Sequence, residues 1–94
     1  MKKKERKPKF PKRLRIRNTD YQIVVTKYVD RASGLCDPGE QIITVSSNQS
    51  AAMMVKALIH EVIHAIESEY NIKMSHKNVY KFEYAIYRFM RDNT

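Results

Sequence analysis

The chain predicts an α+β fold, a short antiparallel sheet of about three strands followed by an antiparallel helical pair, and three features carry that expectation. Residues 13–28 hold period-2 alternation and β-branched side chains. Both glycines, Gly34 and Gly39, fall in one loop-like stretch. From about Ser50 to Tyr70 the chain has no Gly or Pro and is apolar at helical spacing.

The elements follow in order. Residues 1–12 carry Pro8 and Pro11 among charges and read as a basic, disordered leader, with one domain over residues 13–94. Arg13-Leu14-Arg15-Ile16-Arg17 alternates polar with apolar, the pattern of a half-buried strand. Asn18-Thr19-Asp20 supplies a tight turn, and Tyr21 to Tyr28 a second strand, so the two form a hairpin. Asp30 to Glu40 is the main loop, and Gln41 to Ser46 returns to strand character. Ser47-Asn48-Gln49-Ser50 offers N-caps for the first helix, whose first half is apolar nearly all round and therefore buried. Asn71 marks the turn. Ser75 caps a last helix from His76 to Arg91 with Val79, Phe82, Ile86, Phe89 and Met90 at core spacing, and Tyr80, Tyr84 and Tyr87 as packing or boundary residues.

Charge is uneven. The net charge of +8 belongs to residues 1–17, where ten Lys or Arg face Glu5 alone, while the remainder is nearly neutral. A segment such as residues 2–17 can hold nucleic acid through its phosphates, or serve only as a solvated arm. No apolar run is long enough to span a bilayer, and the basic start lacks the apolar core of a signal peptide. The single cysteine, Cys36, suits a reducing compartment, so a cytoplasmic protein is expected.

The chemistry lies in His60-Glu61-Val62-Ile63-His64, an HExxH motif. Residues four apart sit one above the other on a helix, so His60 and His64 can grip one zinc ion, and Glu61 is turned to act as general base. The bland reading is two core histidines with a Glu between them; burying two unpaired imidazoles is costly, and a metal satisfies both. A catalytic zinc usually takes three protein ligands. His76 and Glu83 lie on one face of the last helix, about 10 Å apart along its axis, so only one can reach the metal. Position alone leaves them open.

The run Leu58 to Ala65, preceded by Gly34-Leu35-Cys36-Asp37 and Gln41-Ile42-Ile43, resembles the small phage-type zincin-like metallopeptidases related to the ImmA/IrrE proteins, over about Leu14 to Asn93. The resemblance implies a minimal zincin-like core, with an acid near the start of the next helix as third ligand. Aligning Val79 with the family's apolar residue three places after that acid puts His76 where the family has Glu, which favours His76 over Glu83. It also implies a phage or mobile-element protein in the host cytoplasm acting on a protein or peptide substrate. The strand from Ile42 to Val45 would align that substrate by main-chain hydrogen bonds. Two rival functions are a nucleic-acid-associated adaptor and a non-enzymatic protein with a structural or vestigial metal site.

Overall fold

The computed structural model describes residues 6–27 and 32–94. Its elements are β1 (Arg13–Ile16), β2 (Thr19–Thr26), β3 (Gly34–Asp37), β4 (Ile42–Ser46), α1 (Ala51–Tyr70) and α2 (His76–Asp92). The fold is α+β, but the sheet has four strands in the order β1-β2-β4-β3 and is mixed. β1 pairs antiparallel with β2 and β3 antiparallel with β4, whereas β2 and β4 run parallel, Ile23 beside Ile43.

Three expectations are corrected here. The expected loop contains β3, whose short GLCD sequence lacks a β-branched run and becomes a strand by pairing with β4. The expected all-antiparallel sheet fails because the chain between β2 and β4 crosses to the far edge, lays down β3 there and returns, which leaves β4 parallel to β2. The hairpin turn is also shifted: β2 begins at Thr19, and Arg17-Asn18 alone make the turn, with Arg17 at a left-handed φ of 57°. Tyr28, the expected end of β2, lies outside the described residues, as do residues 1–5 of the leader. Residues 6–12 form no helix or strand, yet Phe10 packs on the core, the Lys12 carbonyl accepts from the Ile23 amide at 2.8 Å, and the Lys7 ammonium donates to the Gln49 carbonyl.

α1 begins where Ser50 caps it, the side chain accepting from the Met53 amide at 3.1 Å, and ends at Asn71 in the left-handed conformation, whose amide donates to the Glu67 carbonyl. Its two apolar sides have different partners. Met54, Ala57 and Ala65 pack against Ile16, Tyr21, Ile23, Ile43 and Val45 of the sheet, while Ile59 and Ile63 close on Val79 of α2. α1 is therefore the middle of three layers, which explains an apolar surface nearly all round.

α2, capped by Ser75 as expected, rests on α1. Of its expected core residues only Val79 is buried; Phe82, Ile86, Phe89 and Met90 are 54%, 37%, 67% and 45% exposed. Among the described residues α2 packs chiefly on α1, which leaves much of its apolar stripe uncovered. No helix among the described residues is long and apolar enough to cross a membrane.

Glu69 near the end of α1 ties the hairpin to the helix. It accepts from the Thr19 hydroxyl at 2.6 Å and from the buried Tyr21 hydroxyl at 2.7 Å, and these bonds hold its carboxyl below the usual glutamate range. A carboxyl depressed in the folded state contributes stability above its unfolded pKa of about 4.3 and loses it as pH falls through the folded value. Thermal unfolding of the parent should therefore fall more steeply than that of Glu69→Gln on acidification, the parent being more stable at neutral pH and the two converging in acid. Parallel curves would reject the tie.

Candidate metal centre

The single turn of α1 between His60 and His64 brings their Nε2 atoms to 3.1 Å, with the rings edge to face at 70°. Each ring is held from behind. His60 Nδ1 lies 2.8 Å from Glu83 Oε1, and His64 Nδ1 lies 2.7 Å from Glu67 Oε1. An ionised carboxylate can only accept, so each Nδ1 carries the proton and donates. With both rings neutral the two Nε2 lone pairs face one another at hydrogen-bond distance, a repulsion that a cation between them, a proton or a metal ion, relieves. Two imidazole nitrogens on one tetrahedral zinc, at about 2.05 Å each, stand about 3.3 Å apart. The donor pair fits such an ion in spacing, tautomer and chemistry.

Glu67 is absent from the site residues expected from the motif. The one signal for it in the sequence is its place three residues after His64, where side chains meet on a helix. Its second oxygen accepts from the Met74 amide at 2.8 Å, which ties the start of the α1–α2 connection to the site. That amide first, and His64 after it, hold the Glu67 carboxyl below its usual range. Glu83 is brought to the pair, but onto the rear nitrogen of His60. His76 stands exposed in the first turn of α2, within electrostatic reach of Glu67 and outside the hydrogen bonds around the two rings. Among the described residues, no three His, Cys, Asp or Glu side chains converge as a ready-made ligand group.

Beside His60 a cavity of about 350 Å³ opens between the start of β3 and the two helices, with Gly34, Lys56, Glu61, Tyr80 and Glu83 on its walls. Glu61, which α1 turns toward the sheet, is only 8% exposed. Burial raises its pKa, an effect that His60 and His64 oppose when their rings are protonated. β3 passes directly over it. A Cβ on Gly34 would stand 2.9 Å from the Thr44 carbonyl oxygen and 3.1 Å from Glu61 Cγ, so only glycine lets the strand lie this close to the carboxyl. Cys36, two residues along β3, is half-buried; burial, reinforced by the Glu61 carboxylate, pushes its thiol up to about 11. It is a neutral thiol at pH 7. The Tyr80 ring stands 5.1 Å from the His60 ring.

One expectation about the site is overturned by the topology. β4, expected to align an extended substrate, has β2 on one side and β3 on the other, so its main-chain groups are already paired. The strand edge beside the cavity belongs to β3.

No protein-family model, no curated protein and no solved structure matches this chain.

Proposed function

We propose that this chain is a zinc-dependent metallopeptidase of the zincin-like kind related to ImmA/IrrE proteins, cleaving a protein or peptide substrate. The observation that carries the reading is the pair of Nε2 atoms facing one another at 3.1 Å, each ring held from behind by a carboxylate. Histidines that merely fill a core have no need of two orienting carboxylates and a shared focus; metal-ligating histidines commonly have both.

His60 and His64 hold the ion through Nε2. His76 is the proposed third donor, because Glu83 is engaged as the orienting partner of His60 and His76 stands free of such a bond. When bound, zinc polarises a carbonyl and lowers the pKa of water at its open position. Glu61, buried against β3 and raised in pKa, takes a proton from the attacking water and returns it to the leaving amine. The outer edge of β3, which pairs with no strand among the described residues, offers main-chain groups on which an extended substrate can be set beside Glu61. The nucleic-acid reading has less support: among the described residues of that basic segment, Lys7 donates to the Gln49 carbonyl, Arg15 is paired to Asp20 and Arg17 donates to the Glu69 carbonyl.

The test is the zinc content of protein purified without added metal. The parent should carry about one zinc per chain. His76→Ala should lose most of it, and Glu83→Ala should retain weakened binding. A parent that is metal-free and takes up no zinc on titration would reject the site. Loss confined to Glu83→Ala would make Glu83 the third ligand.

A further inference from the structure

Lys56 lies one turn before His60 on α1, about 6 Å along the axis, and lines the same cavity. Its surroundings are unusual for an ammonium. The side chain is half-buried, its Nζ rests 4.9 Å from the centroid of the Tyr87 ring, and none of the ion pairs among the described residues includes it. The Arg91 guanidinium stands 5.9 Å from the same ring.

The cavity is therefore bipolar. Its His60 end holds two carboxylates, but Glu83 is committed to the His60 ring and Glu61 is buried beneath β3. Lys56 adds to the lining one cation whose recorded contact is an aromatic face. A volume of about 350 Å³ admits one or two side chains of an extended peptide. A carboxylate entering beside Lys56 gains a charge-assisted hydrogen bond to its ammonium, while a basic side chain there meets like charge.

We propose that Lys56 makes this cavity selective for a peptide carrying an acidic side chain, Asp or Glu, next to the bond presented to the metal. The inference rests on the peptidase reading of the same site, and Lys56 is a specificity residue, with no part in the bond-breaking step.

The test uses acetylated, amidated, dye-labelled hexapeptides in which each position in turn is Glu, Gln or Lys. Binding is measured by fluorescence polarisation to full-length Glu61→Gln protein, in which hydrolysis is blocked. At one position Glu should bind about five- to tenfold tighter than Gln, the range of a charge-assisted hydrogen bond at a partly exposed site. Adding Lys56→Met, which keeps the stem, should bring that ratio to about one. Lys56→Arg should preserve it, and Lys56→Glu should shift preference to the Lys peptide. A preference that survives Lys56→Met, or no preference at any position, overturns the assignment. The unmutated protein is then incubated with the same peptides. Cleavage without an acidic preference sinks Lys56 alone; an acidic binding preference without cleavage sinks the peptidase reading and leaves Lys56 as an anion-recognising residue.

Discussion

Glu61→Gln is expected to lower peptide hydrolysis by about 10²- to 10⁴-fold while zinc content stays that of the parent. The amide has the shape of the carboxyl, so the close packing of this side chain beneath Gly34 of β3 is kept. What disappears is the ability to take a proton. Neither Nε2 of the histidine pair is touched, so metal and catalysis should separate in this variant and vanish together in His60→Ala. A Glu61→Gln protein that cleaves as fast as the parent would remove Glu61 from the chemistry.

Glu67→Gln and Glu83→Gln should each weaken zinc binding by about 10- to 100-fold, measured by competition with a chelator of known affinity. The reason is the rear nitrogen. With an ionised carboxylate at 2.7 or 2.8 Å, Nδ1 keeps its proton, the ring stays oriented, and Nε2 becomes a better donor. A neutral amide can still accept, but polarises the ring less and can turn over to present its NH₂ group. The two variants differ in a second measurement. Glu67 also receives the Met74 amide, so Glu67→Gln should lower the thermal midpoint of the metal-free protein as well, whereas Glu83→Gln should leave it nearly unchanged. Undiminished zinc affinity in both would reduce these contacts to surface pairing; complete loss in Glu83→Gln would mark a direct ligand.

Much of the site is legible in the sequence because it is local. The HExxH spacing places His60, Glu61 and His64 by helix geometry alone, and the helix itself is bounded by Ser50 and Asn71 through their own side-chain and backbone preferences. Glu67 belongs to the same helix but escapes the motif, because it serves the ligands from behind. Glu83 is recognisable as a donor, yet its role depends on which nitrogen of His60 it meets, and that is a matter of how α2 lies against α1. Lys56 carries no motif and acquires interest only from the cavity it lines and the carboxylate it lacks.

The same division holds for the fold. Hydrophobic periodicity, and hydrogen bonds spanning only a few residues, are enough to establish the α+β class, the hairpin, both helices and their caps. The remainder depends on contacts between distant segments. Gly34–Asp37 is a strand because β4 offers it a ladder, and β4 is parallel to β2 because the chain between them travels to the far edge. Phe82, Ile86 and Phe89 have core spacing but stay exposed, because among the described residues α2 packs chiefly on α1, which is already shared with the sheet. Periodicity states that a face is apolar; only the arrangement of the layers states whether anything covers it.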